Sequence, residues 1–123
     1  MTKEKIAAEL YESAERIGLI PTLYAVFGNN VKVSVPFSRR ACGDSMDEIV
    51  FSMRASNSMK RAGLFTIGDI IEALQNETLL HVRNLGKKSY CEIQTKILSY
   101  GYDRLSEREK LAFFREVVRE NCR

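Results

Sequence analysis

The sequence predicts a mainly α-helical protein, and three observations lead there. Apolar residues recur at three- and four-residue spacing through most of the chain. Glycines and side-chain caps punctuate that pattern at helix-sized intervals. Only one stretch alternates: Val31, Val33 and Val35 are separated by Lys32 and Ser34, the pattern of a half-buried strand, and Pro36 ends it.

The first helix is expected over residues 2–17. Ile6, Leu10, Ala14 and Ile17 share one face, Thr2 stands as N-cap and Gly18 as the terminating glycine. A short second helix follows from Pro21 to Phe27, stopped by Gly28 and the Asn29-Asn30 pair. The alternating stretch comes next. A lone strand has no ladder partner, so it either stays irregular or pairs with another copy. Residues 37–45 read as a connector and as the best domain boundary.

Beyond it the chain reads as wholly helical. Ser45 and Glu48 have capping-box spacing ahead of Ile49, Val50 and Met53. The helical pattern continues from Ser56 to Ala62 and stops at Gly63. Thr66 and Gly68-Asp69 open another short helix carrying Ile70, Ile71 and Leu74, and Asn76 begins a further turn with Leu79, Leu80 and Val82. Asn84-Leu85-Gly86-Lys87-Lys88-Ser89 makes a tight turn into a helix with Ile93, Ile97 and Leu98, ending near Gly101. Ser106 and Glu109 form another capping box, and Leu111, Phe114, Val117 and Val118 give the last helix its apolar face.

Composition narrows the function classes. The 123 residues are 45% hydrophobic and 28% charged, which excludes a disordered tail, a collagen-like fibre and a disulfide-dense mini-protein. No apolar run approaches the roughly 18 residues that span a bilayer, so a cytoplasmic location is expected. Cys42, Cys91 and Cys122 form no CxxC pair, which points to a reduced compartment and to no metal site. The single histidine, His81, reads as a turn or half-buried residue rather than a ligand. No paired carboxylates with supporting bases and no nucleophile motif occur, so the expectation is a non-enzyme without cofactors. The net charge of +3 is spread evenly, so cations that meet nucleic acid must be placed by the fold rather than massed in sequence.

The Asn84–Ser89 stretch is the most informative. A glycine in a tight turn lets backbone approach a bulky partner, and a helix starting there aims free N–H groups and its positive dipole end outward. That suits a phosphate oxygen, with Lys87 or Lys88 beside it; the plainer reading is a helix start with two solvated lysines.

Residues 46–102 resemble the C-terminal domain of the bacterial RNA polymerase alpha subunit. The matching pieces are Asp47-Glu48-Ile49-Val50-Phe51-Ser52-Met53-Arg54, Asn57, Lys60-Arg61-Ala62-Gly63, Ile67-Gly68-Asp69 and Asn84–Ser89 with Glu92-Ile93. An apparent extra residue between Asp69 and Leu85, and Ser58 where many members have cysteine, are departures. The resemblance implies a compact helical bundle containing a helix-hairpin-helix, here with extra N- and C-terminal helices and at most one short strand. The domains expected are 1–45, a helical extension and connector; 46–102, the DNA-binding domain; and 103–123, a C-terminal helix.

It further implies binding of A·T-rich promoter DNA through the minor groove and docking on transcription regulators or polymerase. The DNA-facing residues carried over are Arg54, Asn57, Ser58, Gly86, Lys88, Ser89 and Glu92. An arginine in a narrow A-tract groove meets enhanced negative potential, and Asn57 can bond the degenerate minor-groove acceptors. Ser89 and Glu92 also have capping-box spacing, which would make Glu92 a helix-start residue instead. Nothing in the sequence resembles the family's large N-terminal region, and the opening methionine leads straight into a helix, so a stand-alone protein is expected. The alternative is a protein-interaction module that mimics the domain, its apolar terminal helices docking on a partner or making a homodimer.

Overall fold

The computed structural model describes residues 2–28, 31–36, 42–82 and 85–122. Among the described residues, the α-helices with both ends defined are α1 (Lys3–Ile17), α2 (Leu19–Phe27), α3 (Met53–Arg61), α4 (Ile67–Gln75), α5 (Lys87–Asp103) and α6 (Glu107–Asn121). Two 3-10 turns, Met46–Glu48 and Thr78–His81, lie between them. The protein divides into two units, Phe37–Gly101 and a second one made from both ends, Met1–Pro36 with Tyr102–Arg123. The expected N-terminal extension and C-terminal helix thus belong to one unit.

In the unit made from the ends, α1 packs on both α2 and α6. Thr2 Oγ1 accepts from the Lys5 amide at 3.2 Å, and the Gly18 amide closes α1 on the Ala14 carbonyl at 2.9 Å. Gly18 has φ +99°, a conformation open to glycine, and this lets α2 begin at once. The core holds Ala7, Leu10 and Ala14 from α1, Leu19 and Leu23 from α2, and Phe114, Val117 and Val118 from α6. Ile17, expected on the apolar face of α1, is instead 50% exposed, while Ala7 is buried. Tyr102, Phe113 and Phe114 form an aromatic cluster with centroids 5.3–5.6 Å apart, and the Lys110 ammonium sits 5.0 Å above the Tyr102 ring and 3.2 Å from Glu15. The terminal helices thus bury these apolar residues against each other.

The alternating stretch Val31–Val35 forms no strand. Instead the Asn121 side chain brackets Lys32: its Oδ1 accepts from the Lys32 amide at 2.8 Å and its Nδ2 donates to the Lys32 carbonyl at 2.7 Å. A side-chain amide thereby supplies what a neighbouring strand would.

In the other unit, an isolated antiparallel bridge between Ser45 and Thr66 replaces the helix start expected at Ser45. The Met46 amide donates to the Phe65 carbonyl and the Ile67 amide to the Asp44 carbonyl, each at 2.9 Å. Pinned there, Ser45 caps only a 3-10 turn, through Asp47 rather than Glu48, and the true helix begins at Ser52. Val50 and Met53, which the expected helix would have carried, are 85% and 80% exposed. At α4 the capping box forms as the spacing requires: Thr66 Oγ1 accepts from the Asp69 amide while Asp69 Oδ2 accepts from the Phe65 and Thr66 amides. Those two backbone donors hold the Asp69 carboxyl below the usual carboxylate range. Met46, Ala55, Met59, Ile67, Ile70, Leu79, Ile93 and Ile97 fill the core. The Asn29-Asn30 stop and residues 37–41 of the connector lie outside the described residues.

Candidate nucleic-acid interface

The seven residues singled out from sequence fall at or within the first two turns of two helices, α3 and α5. Ser52 starts α3, its hydroxyl accepting from the Ala55 amide at 3.2 Å. Arg54 and Asn57 follow, both exposed. Ser58 is turned inward at 1% exposure, and its hydroxyl has no hydrogen-bond partner. A side chain so enclosed is not on the exposed surface that carries Arg54 and Asn57. The reason is helical phase: Ala55, Ser58 and Met59 share the face that packs on the core.

Gly86 precedes α5 and is exposed, as are Lys87 and Lys88. Ser89 is 7% exposed. Asn84, the first residue of the turn motif, lies outside the described residues. The amides of Gly86, Lys87, Lys88 and Ser89 have no hydrogen-bond partner among the described residues; the first turn of a helix leaves such donors outside its own ladder. A Cβ built on Gly86 would meet nothing within 4 Å, so the fold itself leaves room for a side chain there.

Glu92 joins the two helix starts. Its Oε2 accepts from the Ser52 amide at 2.6 Å and from the Lys96 ammonium at 3.1 Å, and Lys96 reaches on to the Val50 carbonyl at 2.6 Å. Glu92 is thus a cap, but for α3 rather than for its own helix, because Ser89 already lies inside α5. Burial pushes the Glu92 carboxyl up, but the Ser52 amide and hydroxyl together with Lys96 hold it below the usual carboxylate range. Ser52 and Lys96 carry this junction and were not legible as site residues, since the contact spans 40 positions in sequence. Lys96 also stands 5.9 Å over the Phe51 ring. His81 is exposed in the Thr78–His81 turn, and no group of three or more metal-binding side chains occurs among the described residues.

Residues 39–99 match the family model for the C-terminal domain of the bacterial RNA polymerase alpha subunit. This segment is an alpha C-terminal-domain-like domain. Relatives named DNA-directed RNA polymerase subunit alpha support it. The protein of Syntrophomonas wolfei is 47% identical over 53 residues, covering 43% of the present sequence and 16% of that one. That of Malacoplasma penetrans is 34% identical over 92 residues, covering 75% and 25%, and that of Helicobacter hepaticus is 30% identical over 97 residues, covering 72% and 29%. The protein therefore spans less than a third of the length of these relatives. No solved structure matches. Within the alpha C-terminal-domain-like segment lie all seven residues carried over by the resemblance, and the Glu92 link places two of its helix starts side by side.

Proposed function

We propose that this protein is a DNA-binding module of bacterial transcription that grips A·T-rich duplex through the minor groove and adjacent phosphates. What carries the reading is the Glu92 junction. It ties the start of α3, which carries exposed Arg54 and Asn57, to α5, where exposed Lys88 stands among amides without a partner among the described residues; both features support this reading. Arg54 enters the groove, Asn57 bonds the acceptors common to A·T and T·A, and the amides from Gly86 to Ser89 with Lys88 hold a phosphate. Glu92 and Ser89 act behind this surface.

The matched family is a non-catalytic part of the polymerase, so the reading assigns no reaction. No helix among the described residues is long and apolar enough to cross a membrane. The test is fluorescence anisotropy with an A-tract duplex and a G·C duplex of equal length. Tighter A-tract binding, weakened by about tenfold or more in Arg54→Ala, is the expected result. Binding that Arg54→Ala leaves unchanged refutes the reading.

A second reading has its own observation. Val50 and Met53, at 85% and 80% exposure, form an apolar pair flanking Ser52 on this surface. A transcription regulator or polymerase could dock there. Capture of a purified regulator lost in Met53→Lys, with no DNA binding at low salt, would put this reading first.

A further inference from the structure

Residues 31–35 carry a backbone edge that their own fold leaves open. Burial alternates along them: Val31, Val33 and Val35 are half-buried, Lys32 and Ser34 exposed. Asn121 takes both backbone groups of Lys32. In a segment of this periodicity, the N–H and C=O of successive residues turn to opposite edges. Those of Val31, Val33 and Val35 therefore face away from Asn121, and they have no hydrogen-bond partner among the described residues. Beside the segment, Val33, Phe113 and Val117 line a cleft of about 470 Å³, so the valine row is not closed over by its own unit.

We propose that this edge pairs with the same edge of a second copy, as an antiparallel two-stranded ribbon centred on Val33. Only that register uses all three open positions of both strands. A two-fold axis at Val33 sets Val33 opposite Val33, Val31 opposite Val35 and Lys32 opposite Ser34. The open positions 31, 33 and 35 then become the hydrogen-bonded pairs, six bonds in all, while Lys32 keeps its bonds to Asn121. An axis at Lys32 would set two lysines directly opposite each other and pair only positions 31 and 33 on the open edge, four bonds instead of six. Cross-strand valine pairs gather on one face, and Pro36, without an N–H, ends the ladder. An isolated two-stranded ribbon is marginal in water, but here each strand is already held on α6 before it pairs. The proposal does not depend on DNA binding, and it gives each assembly two copies of whatever surface the other unit presents.

Sedimentation equilibrium of the full-length protein across a concentration series tests it. A concentration-dependent dimer is expected, weakened by at least about tenfold in Val33→Pro, which removes one N–H from each strand. Register is read by cross-linking in a Cys42→Ser, Cys91→Ser, Cys122→Ser background. Cysteine at a hydrogen-bonded pair of about 5.5 Å Cα separation is within disulfide reach. Val33→Cys should give a covalent dimer under mild oxidation, and Lys32→Cys, opposite Ser34, should not. A protein that stays monomeric up to roughly 1 mM overturns the proposal. So does a dimer that Val33→Cys fails to trap, or that Lys32→Cys traps as readily. If Val33→Pro does not fold, the cross-linking pair decides alone.

Discussion

Glu92 shows how one carboxylate can serve a surface without standing on it. It carries negative charge to the start of α3, where unpaired amides and the helix dipole favour it, and it fixes where Arg54 emerges. Its folded-state pKa is depressed, so the stability it contributes is fully present above the ordinary glutamate value and is lost as pH falls through its lowered one. Glu92→Gln should therefore cost about 1 kcal/mol at pH ~7 and progressively less towards pH ~3, read by urea unfolding at both values. An equal cost at both would remove charge from the explanation. Gly86 makes the complementary case. Nothing within the fold excludes a Cβ there, so Gly86→Ala should leave the melting temperature unchanged or slightly raised. Against an A-tract duplex it should lose affinity by about tenfold, because the added methyl occupies the space a phosphate would take. Unaltered binding would leave Gly86 a turn residue only.

Among the elements, local chemistry was the legible part. Thr2 and the Ser106–Glu109 box cap their helices as expected, and the helix opened at Thr66 is capped by a Thr66–Asp69 box, since each bond closes within three residues. Ser45–Glu48 has the same spacing and fails, because the Ser45–Thr66 bridge holds that backbone extended. The site divides likewise. Motif order nominates Arg54, Asn57 and Lys88, all exposed, whereas the inward turn of Ser58 and the cross-helix cap by Glu92 depend on tertiary packing. Gly68 offers a test at this scale. It sits in the first turn of α4, where alanine would ordinarily favour the helix, yet a Cβ there would lie 2.8 Å from the Cys42 carbonyl oxygen. Gly68→Ala should destabilise by roughly 1–3 kcal/mol in chemical denaturation, against a propensity gain of about 1 kcal/mol. A stabilised variant would mean the Cys42 backbone yields freely.

For the molecule as a whole, charge and connectivity matter most. A net charge of +3, spread evenly in sequence, supplies no polycationic arm, so any DNA affinity must come from a few placed contacts. The salt dependence should accordingly be shallow, a slope of about −2 to −3 in log K against log salt, and Lys88→Ala should reduce it by about 1. An anisotropy series from low to moderate salt reads this directly; a slope indifferent to Lys88 would take that ammonium off the phosphate. The joining of both ends in one unit, with α1 packed on α6, has a consequence for biosynthesis. As the polypeptide leaves the ribosome, the Phe37–Gly101 segment emerges complete while α1 still waits for the last 15-residue helix to be translated. The family-like segment is therefore free to fold first, and the terminal unit closes last, so a message truncated before α6 would yield a nascent protein with the Ala7, Leu10 and Ala14 face bare and open to chaperones and proteases.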